Sequence, residues 1–238
     1  MALQELQIGP LACLVDEPPR PVAVLVVLHG YAMDAEHLAP LASAMALPAA
    51  LYVPRGLGPA SVGGRSWWPL DEERRRASIA DGPRDLQDEY PEGRAAARAA
   101  LRDLARHVEA AHPGLPFILA GFSQGGMLAC DALLHEDLQP QGLILLSSSR
   151  IAIDEWRPRL GRVRGLPVLV AHGTQDRDLA FAAGEALRDE LSDAGAQVTW
   201  VPFEGGHEIP FTVWRSVRKL VMQIAQQGPG ASFTLRKS

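Results

Sequence analysis

The stretch PFILAGFSQGGMLACDALL, residues 116–134, decides the fold. It opens with an apolar run typical of a buried strand and closes with an Ala- and Leu-rich segment that has helical spacing. Between the two, Gly121, Ser123 and Gly125 stand in G-x-S-x-G spacing. A sharp strand-to-helix turn of this kind exposes a serine hydroxyl on a strained backbone, so Ser123 is the candidate nucleophile. Gly126 costs about 1 kcal/mol relative to alanine inside a helix, which indicates a close approach by another part of the chain.

The rest of the chain alternates strand-like and helix-like segments. The run VAVLVVL at residues 22–28 is continuous, apolar and rich in β-branched residues, which is typical of a central strand covered on both faces. Residues 11–15 predict an edge strand. The alternation predicts a single-domain α/β fold over residues 1–238, with a mostly parallel sheet of about seven strands and helices on both faces. Residues 228–238 have weak patterning and are predicted to be a tail.

Composition argues against several classes of function. The 238 residues are 47% apolar and 21% charged, with a formal charge of −5, as in an ordinary globular protein and unlike a nucleic-acid-binding one. Two cysteines are too few for a disulfide framework, and no metal-ligand spacing is present. There is no leader pattern and no apolar run long enough to span a membrane, so the expectation is a cytoplasmic protein without membrane insertion.

Chemistry-bearing residues recur where predicted strands end. In an open α/β sheet, sites form at the carboxyl ends of the strands, so loops that begin there are expected to meet at one edge. Four loops qualify: His29-Gly30-Tyr31, Gly121-Phe122-Ser123, His172 to Asp178, and Gly205-Gly206-His207.

A serine nucleophile needs a base, and the base needs a carboxylate that orients it. In this strand–turn–helix arrangement the chain order is serine, acid, histidine, which indicates His207, the last histidine of the chain. The loop after the preceding strand offers Asp176 and Asp178 as the acid. Asp176 is favoured because it lies nearer the strand end, whereas Asp178 could instead begin the following helix. His172 is interpreted as a buried, hydrogen-bonded residue at the strand end.

Two backbone N–H groups are expected to stabilise the developing oxyanion. Gln124 follows the nucleophile at a helix N-terminus, where the helix dipole also favours an anion. Tyr31, after His29-Gly30 at the end of the central strand, is the second candidate donor. Because both donors are backbone groups, the Gln124 side chain is expected to be replaceable.

Residues 57–87 show no sustained periodicity and predict a loop without a large cap domain. Trp67 and Trp68 are adjacent apolar side chains within this polar segment. They are interpreted as one wall of a shallow apolar groove beside Ser123, with Tyr31, although packing against the body of the protein is the alternative. Such a groove suits acyl chains of roughly two to eight carbons, because each further methylene gains free energy only until the groove ends.

Four motifs carry a family resemblance: LHGYAMD from Leu28, GFSQGG from Gly121, HGTQD from His172 and GGHEIP from Gly205. Together they resemble the bacterial phospholipase/carboxylesterase family, whose relatives include acyl-protein thioesterases. The resemblance implies a single-domain α/β-hydrolase without metal or cofactor that acts on carboxylic or thiol esters. It supports Ser123, Asp176 and His207 as the catalytic triad. Similar proteins usually carry a small residue where Tyr31 stands, so Tyr31 is expected to change the shape of the pocket.

The leading hypothesis is a serine carboxylesterase that hydrolyses short- to medium-chain esters through a covalent acyl-enzyme. A thioesterase or lysophospholipase is the alternative, because the same triad serves all three reactions. A non-catalytic ligand-binding module is a third hypothesis, against which the intact set of serine, aspartate and histidine argues. The expected partner is a small-molecule ester, and the alternative of a homodimer stays open.

Overall fold

The chain is described here by a computed structural model over residues 3–227, which form a central sheet flanked by helices. The predicted tail at residues 228–238 lies outside the described residues. The strands are β1 (Gln4–Ile8), β2 (Leu11–Asp16), β3 (Ala23–Leu28), β4 (Ala49–Pro54), β5 (Gly58–Pro59), β6 (Arg65–Ser66), β7 (Phe117–Phe122), β8 (Gly142–Leu146), β9 (Pro167–Gly173) and β10 (Gln197–Phe203).

The helices fill the intervals between these strands. They are α1 (Ala35–Ser43), α2 (Glu72–Asp81), α3 (Arg94–Ala111), α4 (Gln124–His135), α5 (Ile153–Trp156), which continues as a 3₁₀ helix (Arg157–Val163), α6 (Phe181–Asp193) and α7 (Phe211–Gln227).

The predicted fold class is confirmed: eight strands form one mostly parallel sheet in the order β1-β2-β4-β3-β7-β8-β9-β10. Within this eight-stranded sheet of the described chain, pairing is antiparallel only where β2 meets β1 and β4. The sheet has one strand more than the expected seven, because β1 precedes the segment predicted as the edge. Four of the five residues of β1 are exposed, so no buried apolar pattern announced this strand.

The core lies on both faces of the sheet, as residues 22–28 predicted. Alternate residues of β3 enter different apolar clusters: Leu28 packs with residues of α3 and α4, whereas Val27 packs with residues of α1 and α7. The register is parallel, with Leu28 of β3 opposite Gly121 of β7. This pairing brings the end of β3 next to the turn between β7 and α4.

Residues 57–87 differ from the expected loop, because they contain the short hairpin β5–β6 and the helix α2. No residue of α2, all of which are described, is buried. Its sequence EERRRASIAD has no apolar stripe, and a helix that is polar all round gives no periodic signal. One ten-residue helix is too small to form a cap domain, so the expectation of no large cap agrees with this fold.

Candidate active site

Ser123 occupies the turn between β7 and α4 with a strained backbone, at φ 52° and ψ −117°. The chain is tightly packed around the turn. A Cβ atom at Gly121 would lie 2.3 Å from the carbonyl carbon of Gly125, and one at Gly125 would lie 2.4 Å from the oxygen of Leu28. Both distances exclude a side chain, which explains the two flanking glycines of the motif.

The close approach expected at Gly126 is also present. A Cβ atom at this position would lie 2.8 Å from Oγ of Ser148, in the loop after β8. The Ser148 hydroxyl in turn donates to the carbonyl oxygen of Ser123 at 3.3 Å. Gly126 therefore lets the loop after β8 support the turn that carries Ser123.

A hydrogen-bonded chain joins Ser123, His207 and Asp176. Nε2 of His207 lies 2.9 Å from Oγ of Ser123, and Nδ1 of His207 lies 2.7 Å from Oδ2 of Asp176. An ionised carboxylate only accepts hydrogen bonds, so Nδ1 carries the proton and Nε2 is free to accept from the serine. The three residues come from loops after β7, β9 and β10, at the carboxyl edge of the sheet.

The carboxylate of Asp176 is fully buried and well supplied with donors. Oδ1 accepts from the backbone N–H groups of Asp178 at 2.9 Å and Leu179 at 3.0 Å. Burial by itself raises the pKa of Asp176, but hydrogen bonds from His172 and His207 outweigh burial and hold this pKa well below its usual range. Asp176 is therefore ionised across the neutral range.

Asp178, the alternative acid, has other partners. Its carboxylate forms ion pairs with Arg75 of α2 and with Arg84. The expectation that Asp178 begins the next helix is wrong, because α6 starts at Phe181 after Ala180. Asp178 instead connects the loop after β9 to the segment that lies over the site.

The residues of the two candidate oxyanion donors, Tyr31 and Gln124, line the same cavity as Ser123. Neither the N–H of Tyr31 nor that of Gln124 has a hydrogen-bond partner among residues 3–227. His29 orients the peptide group that carries the Tyr31 N–H, since its Nδ1 lies 2.7 Å from the carbonyl oxygen of Gly30. Nε2 of His29 accepts from the N–H of Gly56 at 2.8 Å, so Nδ1 holds the proton of a neutral ring. Burial lowers the pKa of His29 and favours this neutral form.

The Gln124 side chain has a role that the sequence did not reveal. It is buried, its Oε1 accepts from the N–H of Trp67 at 3.0 Å, and its Nε2 donates to the carbonyl oxygen of Trp68 at 3.0 Å. These bonds fix the segment 67–68 to the start of α4. The expectation that this side chain is replaceable did not include these contacts, and its loss leaves the two backbone groups of residues 67 and 68 unpaired.

A cavity of about 730 Å³ lies above Ser123 and His207. Tyr31, Ser123 and Gln124 all line it. Apolar walls come from Met33, Trp68, Phe122, Met127, Ile151 and Leu179. Charged side chains also line the cavity, and this set is termed its rim: Asp71, Arg74, Arg75, Arg84, Glu89 and Glu92.

The two tryptophans lie in different environments. Trp68 contributes to the cavity wall, whereas Trp67 is absent from the lining in the described chain, so its interpretation as a groove wall is wrong. Trp67 is 2% exposed, stacks on the ring of His29 with 5.0 Å between centroids, and donates from Nε1 to the carbonyl oxygen of His29 at 2.8 Å. The alternative for this residue, packing against the body of the protein, is what the structure has.

The helix α2 covers part of the cavity through polar contacts. Besides pairing with Asp178, Arg75 places its guanidinium 5.6 Å from the centre of the Tyr31 ring. Arg74 pairs with Glu89 at 2.9 Å across the cavity rim. The site is therefore more covered than the expected shallow groove.

The described chain has neither a metal-binding cluster nor a membrane-spanning helix. Over residues 3–227, no cluster of three or more His, Cys, Asp or Glu side chains has an arrangement able to hold a metal ion. Cys13 and Cys130 are free and buried. None of the helices in the described chain combines the length and the apolar character needed to cross a bilayer.

A strained serine between a parallel strand and a helix, bonded to a histidine from the end of the sheet, defines an α/β-hydrolase of the serine type. A family model described as Phospholipase/Carboxylesterase matches residues 97–224. The chain belongs to this family and is an enzyme, a serine hydrolase. The resemblance drawn from its four motifs is confirmed.

Individual relatives are distant. Acyl-protein thioesterase 1 of Neurospora crassa is 28% identical over 108 residues, a match that spans 44% of this chain and 44% of that relative. The crystal structure of esterase PE8 is 23% identical, covers 88% of this chain and 97% of its own, and superimposes with a TM-score of 0.72. A carboxylesterase from Mesorhizobium loti is 20% identical, covers 92% and 98%, and has a TM-score of 0.70. At these identities the solved structures show a shared fold.

Proposed function

We propose that this chain is a serine carboxylesterase that cleaves short- to medium-chain carboxylic esters through a covalent acyl-enzyme. The observation that carries the proposal is the Ser123–His207–Asp176 chain of hydrogen bonds. It lies at a cavity that is also lined by Tyr31 and Gln124, whose backbone N–H groups have no partner among residues 3–227.

In the first half-reaction, Nε2 of His207 accepts the proton of Ser123 as Oγ attacks the ester carbonyl. Negative charge develops on the carbonyl oxygen, which accepts hydrogen bonds from the N–H groups of Gln124 and Tyr31. The protonated histidine then gives its proton to the departing alcohol, which leaves an acyl group on Ser123. Asp176 holds the ring in the required tautomer and stabilises its positive charge.

In the second half-reaction, His207 takes a proton from water, and the resulting hydroxide attacks the acyl-enzyme. Proton return to Ser123 releases the carboxylic acid. His207 has 22% of its side chain exposed, so water reaches the base from the cavity.

The preference for short and medium chains rests on the cavity walls. Met33, Phe122, Met127 and Leu179 supply apolar contact area for an acyl chain, and each buried methylene adds about 0.8 kcal/mol until the space ends. A longer acyl chain would contact charged residues of the rim, such as Arg75. We therefore propose an optimum at roughly two to eight carbons.

A thioesterase is the second candidate, and the match to an acyl-protein thioesterase of Neurospora crassa favours it. The same triad attacks either carbonyl group, so the two reactions differ only in the leaving group. Matched oxygen and thiol esters with the same acyl chain separate them by the ratio of kcat/KM. The cytoplasmic location, the absence of a cofactor and the homodimer alternative stay predictions.

The experiment is labelling with a fluorophosphonate, followed by peptide mapping. We expect one adduct, on Ser123, together with hydrolysis of p-nitrophenyl esters. Ser123→Ala should abolish the adduct and lower turnover by roughly 10⁴ to 10⁶-fold. Its melting temperature should stay near that of the wild type. A folded wild-type sample that forms no adduct after treatment with the fluorophosphonate would contradict the proposal.

A further inference from the structure

His172 is a second histidine on the carboxylate of Asp176, and the mechanism above does not use it. Its Nε2 lies 3.1 Å from the carbonyl oxygen of Leu179 and 3.4 Å from Oδ2 of Asp176. Oδ2 is the same oxygen that receives Nδ1–H of His207 at 2.7 Å. Two imidazole rings therefore converge on one carboxylate oxygen.

The surroundings of His172 determine its protonation. A carbonyl oxygen only accepts hydrogen bonds, so Nε2 carries a proton and donates it to the carbonyl oxygen of Leu179, with Oδ2 of Asp176 3.4 Å from the same nitrogen. Nδ1 is buried and has no partner in the described part of the chain. A proton on Nδ1 would be an unsatisfied buried donor, so the ring is neutral and protonated on Nε2.

Packing holds the ring in this orientation. His172 is fully buried at the end of β9, and the ring of Phe181 packs against it edge-on with 6.2 Å between centroids. On α6, a Cβ atom at Gly184 would lie 2.4 Å from Nδ1 of His172. The absence of a side chain at Gly184 thus makes room for the ring.

We propose that His172 is a positioning residue for the triad: its neutral Nε2–H fixes Oδ2 of Asp176 in line with His207 and limits how strongly that oxygen attracts the His207 proton. The inference rests on the proposed roles of Asp176 and His207. His172 does not line the cavity in the described structure, so it acts through Asp176 and not on the substrate.

Loss of the His172 N–H should change both the pH dependence of kcat/KM and the value of kcat. Without the His172 donor, Oδ2 carries more negative charge towards His207 and binds its protonated ring more strongly. The acid limb of the kcat/KM profile should then move to higher pH. The carboxylate is also held less firmly, so kcat should fall while KM stays near the wild-type value.

The test compares His172→Met with His172→Gln, two side chains of equal length. Glutamine can place an amide donor near the position of Nε2, whereas methionine cannot. We expect His172→Met to lower kcat between about ten- and a hundredfold, the range of a hydrogen bond to a charged group, and to move the acid limb upward. His172→Gln should restore most of both. The charged groups on the same loop, Asp178 with Arg75 and Arg84, are unchanged in these variants.

Gly184→Ala gives a second variant that deletes no polar group. Alanine is favoured over glycine within a helix, so α6 should persist while the new methyl group displaces the His172 ring. We expect the same upward move of the acid limb, and no additional effect when Gly184→Ala is combined with His172→Met. This variant keeps the test decisive if His172→Met fails to fold.

All rates are counted per Ser123 labelled by fluorophosphonate, which removes the contribution of misfolded protein. Three results would each overturn the proposal. The first is a lower kcat in His172→Met without a shift of the acid limb of its kcat/KM profile, and the second is a Gly184→Ala pH profile equal to that of the wild type. The third is a kcat in His172→Gln as low as in His172→Met. Proton NMR of the His207 Nδ1–H resonance gives a readout without turnover, and we expect His172→Met to move it downfield. A wild type with neither adduct nor turnover defeats the proposed function, whereas an unmoved resonance defeats the role of His172.

Discussion

Arg75 and Asp178 form an ion pair that ties the helix over the cavity to the loop that carries Asp176. Asp178 also pairs with Arg84, so both of its oxygens are occupied by guanidinium groups. Two aspartates separated by one residue therefore face different partners. Asp176 faces His207, whereas Asp178 faces Arg75 of α2 and Arg84.

This division predicts unequal effects of removing the two charges. Asp176→Asn should lower kcat by about 10⁴-fold, because the amide stabilises the wrong tautomer of His207. Asp178→Asn should cost about fivefold or less, the scale of a partly exposed ion pair. Steady-state kinetics on one aryl ester give both values. A larger loss for Asp178→Asn would reverse the assignment of the acid.

The lowered pKa of Asp176 predicts a pH dependence of stability. A carboxylate whose pKa is lower folded than unfolded stabilises the native state fully above the unfolded value near ~3.9, and this stability is lost as the pH falls through the folded value. The free energy of unfolding should therefore decline below about pH 4. Urea titrations at several pH values should show a weaker decline in Asp176→Asn, and equal slopes would contradict the shift.

His29 predicts an effect on the oxyanion donor. His29→Leu removes the bond to the Gly30 carbonyl and frees the peptide that carries the Tyr31 N–H, so kcat should fall by roughly 10- to 100-fold with little change in KM. His29→Asn can retain a donor near Nδ1 and should lose less. Both variants lose the acceptor for Gly56, which makes them a matched pair. Equal kcat values in the two variants would remove His29 from this role.

Gln124→Ala should lower the free energy of unfolding by about 2–4 kcal/mol, because the N–H of Trp67 and the carbonyl of Trp68 lose their partners. Gln124→Met fills the same volume without polar atoms. We expect it to be nearly as unstable, since the cost lies in the unpaired groups. A fully stable Gln124→Met variant in chemical denaturation would show that volume alone matters.

The tryptophans predict separate effects on stability and on chain-length preference. Trp67→Ala should destabilise the fold by about 3–5 kcal/mol and leave the preferred acyl length unchanged. Trp68→Ala should also destabilise the fold but move the optimum, because this side chain lines the cavity. The measurement is kcat/KM per labelled Ser123 across p-nitrophenyl esters of increasing length. Parallel profiles for both variants would take Trp68 out of the substrate site.

Much of the fold and of the candidate site follows from local pattern. Residues 22–28 predicted a strand covered on both faces, and the glycines around Ser123 predicted a tight turn. Chain order then selected His207, which the structure brings to Ser123. The strand and the turn are visible because each depends on neighbouring residues, whereas His207 follows from its order in the chain.

The remaining features depend on partners far away in the chain. Arg75 and Asp178 stand 103 residues apart, and α2 is polar all round, so its contacts had no local signature and the helix had no apolar periodicity. The packing of Trp67 depends on its contact with His29, 38 residues away. The Gln124 side chain bonds to Trp67 and Trp68, which lie in a separate segment of the chain.

Since α2 places none of its described side chains in either core cluster, this part of the cavity lining is built from residues that do not hold the sheet together. Substitutions at residues 72–81 therefore leave the packing of the sheet unchanged. The helix α2 is thus the part of the cavity lining that can change without repacking the body of the protein.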